Sequence, residues 1–318
     1  MTRVEHAVFE LPALPLEDWE RTKDTLHLYA QIVGKLRLAC APPRNHWWHA
    51  ALYLDARGLT TGPMRHREVT FQIDFDFVDH LLVVRTERGE TERFRLHDGL
   101  AVADFYGQLF ELLDAWGLAL EIRAEPFGVP MTTTFAQDRE YGTYDRDAVA
   151  RYLRALLWIG NVFEEFAGWF CGKTSPVHLF WHSFDLAVTR FSGRRAPEQP
   201  GVDAVTREAY THEVISFGFW AGDVRLREPA FYSYTAPEPP GLAKRPLHPA
   251  AAHWSPANGS HLALLSYEEV RTSAPARATL LDFLDSAYQA GAEAAGWDRR
   301  ELSSSWCPEE RLAAPPRA

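Results

Sequence analysis

Val69-Thr-Phe-Gln-Ile-Asp-Phe-Asp-Phe77 alternates without a break, with Phe71, Ile73, Phe75 and Phe77 on one side of an extended chain and Gln72, Asp74 and Asp76 on the other. A period of two is that of a strand with one face in a core and one in water. Outward from it, Val78-Asp79-His80 predicts a turn into a strand at 81–85, and Arg88-Gly89-Glu90 a turn into another at 91–96. The stretch 69–96 therefore reads as an antiparallel meander. Helical periods flank it. Upstream, Trp19, Leu26, Tyr29, Val33 and Leu36 recur at steps of three and four until Pro42-Pro43 stops the run after Cys40. Downstream, Val102, Phe105, Leu109, Leu113 and Trp116 do the same before Gly117, with Asp98 as the expected cap. Aromatic and aliphatic residues predict strands at 47–55 and at 118–123.

The rest of the chain runs through a similar order. Asp145 is placed to cap a helix carrying Val149, Tyr152, Leu156, Phe163 and Phe166; Pro176 precedes a predicted strand at 178–191, and further strands are expected at 210–220, 231–234 and 261–266. Ser273 and Pro275 start a last helix with Leu280, Leu284 and Tyr288. A gapless offset lays Pro43 on Pro176, Trp48 on Trp181, His49 on His182 and Arg57 on Arg190. The expected fold is α+β with two similar lobes, each an antiparallel meander sheet on long helices, and the likeness has two readings, internal duplication or convergence on common parts. The lobes are expected at 1–125 and 145–306, with a linker at 126–144 and a loose tail at 307–318. A Pro-rich insertion at 236–259, holding His248, His253 and Trp254, reads as an ordered loop.

At 318 residues, 46% hydrophobic and 13% aromatic, the chain can bury a large core. A net charge of −10 argues against a nucleic-acid partner, because phosphate neutralisation needs clustered cations. No uncharged apolar run is long enough to span a bilayer and the N-terminus carries no signal-peptide core, so no membrane partner is expected and the location is cytoplasmic. Cys40, Cys171 and Cys307 have neither metal-ligand spacing nor an even count, and they read as small buried apolar residues in a reducing compartment. Homo-oligomerisation is left open by the residues.

No Walker A loop, dinucleotide fingerprint, nucleophile elbow or C-x-x-C pair occurs, so no cofactor is expected. No metal is expected either. On a strand His178 and His182 stand ~13 Å apart, too far to share one ion, and His46 and His49 point to opposite faces. Asp74 and Asp76 share a face ~7 Å apart, a spacing found in inverting glycosidases; the competing reading is ion pairing with Arg57. The most concentrated charge is Asp185-Leu-Ala-Val-Thr-Arg190-Phe-Ser-Gly-Arg194-Arg195, where a strand ends in guanidinium groups suited to bidentate capture of an anion. The leading expectation is thus a small anionic ligand held by Arg190, Arg194, Arg195 and His182, with His178, His212 or Glu213 exchanging protons. Asp185, of opposite parity to Arg190, is expected to face away. The alternative is a non-catalytic interaction module or homodimer scaffold that uses the aromatic strands and Pro-rich loops.

The strings Asn45-His-Trp-Trp-His49, Ala56-Arg-Gly-Leu-Thr-Thr61, Phe75-Asp-Phe-Val-Asp-His80, Ser175-Pro-Val-His178, Phe184-Asp-Leu-Ala-Val-Thr-Arg190 and Tyr210-Thr-His-Glu213 together resemble a bacterial domain of unknown function, numbered five-nine-nine-six. The resemblance covers nearly the whole chain. It implies a bacterial source and one homologous unit, and it brings no activity, cofactor or catalytic residue.

Overall fold

In the computed structural model, which describes residues 10–305 except 199 and 258, the N-terminal period becomes a 3-10 turn at Leu16–Asp18 and helix α1 at Glu20–Cys40. Leu26, Leu28, Tyr29, Ile32, Val33 and Leu36 are all buried, so α1 carries core around most of its circumference. The first sheet follows, from β1 (Tyr53–Asp55), β2 (Gly58–Thr60), β3 (Met64–His66), β4 (Val69–Asp76), β5 (Leu81–Thr86) and β6 (Thr91–Arg95). Its order is β1-β2-β4-β5-β6, with β3 also paired to β4, and every pairing is antiparallel. The alternation that predicts β4 is its burial pattern: Phe71, Ile73 and Phe75 are buried. Helix α2 (Val102–Ala115) closes over that face, with the Phe105 ring 6.2 Å from Phe75 and stacked on Tyr29 of α1 at 4.1 Å.

Helix α3 (Arg146–Gly168) begins where expected, because the Asp145 carboxylate accepts from the backbone N–H of Asp147 and Ala148 at 2.8 and 3.2 Å. The second sheet is built from β7 (His178–Phe180), β8 (Asp185–Arg195), β9 (His212–Trp220), β10 (Ala230–Ala236), β11 (His253–Ala257) and β12 (Ser260–Ser266), in the order β11-β12-β10-β9-β8-β7. A short helix, α4 (Ala204–Ala209), lies between β8 and β9, and α5 (Tyr267–Thr272) and α6 (Ala276–Ala294) end the described fold. One face of this sheet, with Leu186, Val188, Ile215, Phe217 and Phe231, is buried against the helices: Phe166 of α3 meets Phe217 at 4.9 Å, and Tyr267 of α5 meets Phe219 at 5.5 Å. The fold is α+β, with two six-stranded antiparallel sheets and helices packed on them.

Residues of both halves share one continuous hydrophobic cluster, from Leu26 and Ile73 to Phe217 and Leu284. The sheets touch at their edges. Leu52 and Leu179 exchange both backbone hydrogen bonds, at 2.9 and 2.8 Å, beside the ends of β1 and β7. A second tie comes from Gly34 of α1, where a Cβ would stand 2.2 Å from the Trp181 indole; only a bare Cα lets that ring lie against the helix. Residues 126–144 are bound along their length: Phe127 exchanges two 2.8 Å hydrogen bonds with the Gln31 side chain, Phe135 is buried, and Gly142 accepts from the Gly99 N–H.

Several local expectations change. Residues 47–55 are not one strand. Asn45–Trp47 is a 3-10 turn with His46 and Trp47 at φ 58° and 60°, and pairing starts only near Leu52. Residues 178–191 are not one strand either, since Phe184 at φ 59° folds them into the β7–β8 hairpin. Residues 118–123 bury Leu118 and Leu120 without joining a ladder, so burial imitated a strand there. Asp98 does not cap α2; its carboxylate accepts from Tyr144 N–H at 3.1 Å, and the Ncap is Ala101. The Pro-rich stretch 236–259 is ordered and contains β11, an edge strand that tolerates Pro256. Cys171 is exposed and Cys40 half-buried, against the reading of buried thiols. Cys307 and the tail 307–318 lie outside the described residues.

Candidate functional site

The face of the second sheet turned away from α3, α5 and α6 carries the opposite parity of the same strands: Asp185, Thr189 and Phe191 from β8, Ser216 and Trp220 from β9, Tyr232 and Tyr234 from β10. These side chains floor a cavity of about 480 Å³, a size ordinary for small-molecule sites. Its other walls come from three connections. His46, Trp47 and Trp48 reach in from the turn before β1, His182 and Ser183 from the β7–β8 turn, and Val205, Thr206 and Ala209 from α4. Two of these walls contain the left-handed residues His46, Trp47 or Phe184, which for side-chain-bearing residues cost energy and mark places the surroundings hold in shape.

Asp185 is the organising group. It is 7% exposed, and its two carboxylate oxygens each accept one hydroxyl, from Ser183 and from Tyr232. Tyr232 sits on β10 and Asp185 two strands away on β8, so the phenol has to lean across β9. Gly218 permits this, since a Cβ there would lie 2.3 Å from the Tyr232 ring. The neighbouring hydroxyls are paired as well, Tyr210 with Tyr234 at 2.9 Å and Thr189 with Ser216 at 2.9 Å. Burial, with Asp185 adding to it, pushes the Tyr232 phenol well above its ordinary range, and burial with Tyr210 does so for Tyr234. Both phenols stay neutral hydrogen-bonding groups.

Burial lowers the His182 imidazole, partly opposed by the Asp185 charge. His46 is lowered too, by burial first and then by the nearby Lys173 and His212 charges, against a hydrogen bond to the Ala209 carbonyl. Its tautomer follows from its neighbours: Lys173 Nζ donates to Nε2 at 2.7 Å, so Nδ1 carries the proton and donates to Ala209 O at 2.9 Å. Lys173 itself is not part of the lining. Its ammonium lies 5.2 Å from the Trp48 ring centre and 4.8 Å from that of Phe191.

Of the residues expected from sequence to bind the ligand or exchange protons, His182 alone lines the cavity. His178 lies fully buried on the same face, 4.4 Å from the Phe180 ring, and neither ring nitrogen has a hydrogen-bond partner among the described residues. Arg190 leaves β8 on the helix side, where its guanidinium stacks 3.5 Å from the Phe166 ring centre and donates to the Phe166 carbonyl. Arg194 is exposed; it binds Glu213 at 2.7 Å and the Ala295 and Gly296 carbonyls at the end of α6. Arg195 is exposed and pairs its backbone with His212, whose Nδ1 meets the Thr211 hydroxyl at 3.0 Å. The arginines thus do not converge on a common cradle. Asp74 and Asp76 are held by Arg85 and Arg57 respectively.

Asp185, Tyr232, Tyr234 and the Trp47-Trp48 pair are the site residues that sequence reasoning passed over. Parity puts Asp185 opposite Arg190, which is correct; the missed step is that the far face is the one with the cavity. Among the described residues no three His, Cys, Asp or Glu side chains gather to hold a metal ion, and none of the helices is long and apolar enough to cross a membrane.

Among proteins of established description, and among solved structures, nothing matches the chain. One family model does match, described as a family of unknown function, and it spans residues 11–304. That span takes in both sheets, every helix and all three walls of the cavity, and the protein belongs to this family, DUF5996.

Proposed function

We propose that the protein binds a small organic molecule in the cavity between the second sheet and α4. The observation that carries this is a buried carboxylate, Asp185, presented by two hydroxyl donors inside an aromatic-walled space of about 480 Å³. Large rings and a charge on the sheet face turned away from α3, α5 and α6 have no role in closing the main core, whereas a bound molecule would use both. If the protein is an enzyme, His182 is the group fitted to take up a proton, being an imidazole in the lining within reach of the Asp185 charge. The arginine-held anion expected from sequence is not favoured by this geometry, because Arg190 is engaged in the helix layer and Arg194 on Glu213. The interaction-module alternative gains nothing from the Pro-rich stretch 236–259, which holds none of the large exposed apolar side chains Val78, Phe127, Val205 and Val224. A cytoplasmic setting belongs to this reading and is supported by the free thiols of Cys40 and Cys171.

The test is to fill the space. Thr206 lines the cavity from α4, and Thr206→Trp puts an indole into it from an exposed element. Native mass spectrometry of the purified protein should report a retained small molecule that the variant lacks. Equal retention by both, with unchanged thermal melting, would remove the cavity as the binding place.

A further inference from the structure

We infer that the ligand of this cavity carries a positive charge, a protonated or quaternary amine seated between Asp185 and the aromatic walls. The inference rests on the cavity being a ligand site and adds the chemical class. Two facts lead to it. First, Asp185 is the one formally charged side chain among the lining residues, and no lysine or arginine pairs with it among the described residues. Its two donors are hydroxyls, Ser183 and Tyr232, which hydrogen-bond the carboxylate without cancelling its charge. A carboxylate offers about four acceptor positions, so room remains for a third donor from the ligand. A buried, uncompensated negative charge is costly, and a cation brought beside it repays that cost where an anion would add to it.

Second, the walls are largely aromatic. Trp47, Trp48, Phe180, Trp220, Tyr232 and Tyr234 surround the space, and the negative faces of such rings attract ammonium groups, indole most strongly. The protein already uses one of these rings so: Lys173 holds its ammonium 5.2 Å from the Trp48 centre, outside the lining. Of the other titratable lining groups, His46 has its free nitrogen taken up by Lys173, and burial lowers the His182 imidazole. Among the described residues the hydrogen bonds to the Asp185 carboxylate come from Ser183 and Tyr232 and not from either imidazole.

A fragment panel sorted into amines, neutral molecules and carboxylates separates the possibilities when read by ligand-observed NMR on the full chain. Binders lost in Thr206→Trp, or in Ala209→Trp as a second plug, are assigned to the cavity. Amines are expected to dominate that set, and Asp185→Asn to weaken them at least tenfold while sparing the neutral binders. Cavity binders without an amine preference, or amines indifferent to Asp185→Asn, overturn the cationic ligand and leave the binding site standing. No binder lost on plugging overturns both. The amine preference is scored on the unsubstituted protein, so it stays decisive even if Asp185→Asn folds poorly.

Discussion

A side chain missing at position 218 decides where the Tyr232 phenol goes, and the phenol decides how Asp185 is presented. Gly218→Ala would place a methyl group 2.3 Å from the Tyr232 ring, so the ring has to swing off β9 and the carboxylate loses a donor. A hydrogen bond to a charged group contributes about 1.5–3 kcal/mol, and a destabilisation of that order is expected in urea unfolding, together with loss of any cavity ligand. Wild-type stability in this variant would show that the leaning phenol is wrongly described. At this scale sequence reading was strong on parity and weak on meaning. Asp185 was placed on the correct face, but a strand's period does not say which face a helix will cover, because that depends on how α3 and α6 pack from outside the strand. The arginines drew attention through local density, yet Arg190 lies between aromatic rings and Arg194 at a helix end, partners that no local pattern displays.

Among the elements, those with long unbroken periods were legible: α1, β4, the meander from β4 to β6, α2, α3 with its Asp145 cap, and α6. The cap can be weighed. Asp145→Ala removes the acceptor for two N–H groups of α3 and is expected to cost about 1 kcal/mol, read as an earlier urea midpoint with an unchanged slope; an unaltered midpoint would mean that solvent serves those groups equally well. The illegible elements were those set by contacts from elsewhere. The turn at Asn45–Trp47 is fixed by Ala209 and Lys173 acting on His46, and the hairpin after β7 by the left-handed Phe184 and the Trp181 ring seated on Gly34. Both had been read as extended from composition alone, and both turned out to be walls of the cavity. Trp- and His-rich composition suits a strand and a cavity wall equally, which is why the fold was readable further than the site.

For the molecule as a whole, two deeply buried histidines contribute to the response to pH. Burial holds His178 down at about 3, and burial with the nearby charge of Lys23 holds His27 at about 4. Unfolded, each protonates near 6.5. Between pH 6.5 and 4 the unfolded chain therefore binds more protons than the folded one, and stability falls as the pH falls, by at most ~1.4 kcal/mol per pH unit for each imidazole. The stabilisation is fully present above pH 6.5 and shrinks through that window. His178→Leu, which fills the site without a titrating ring, is expected to make urea unfolding less steep in pH by about that amount per unit; identical slopes for the two proteins between pH 6.5 and 4 would exclude His178 as a contributor.

The edge contact between Leu52 and Leu179 has a consequence for inheritance. It fastens the chain that bears His46, Trp47 and Trp48 to the sheet that bears Asp185, so the compartment draws on distant portions of the gene at once. A truncation or fission that parted them would leave each portion with half a chamber, and the chamber would pass on intact or not at all.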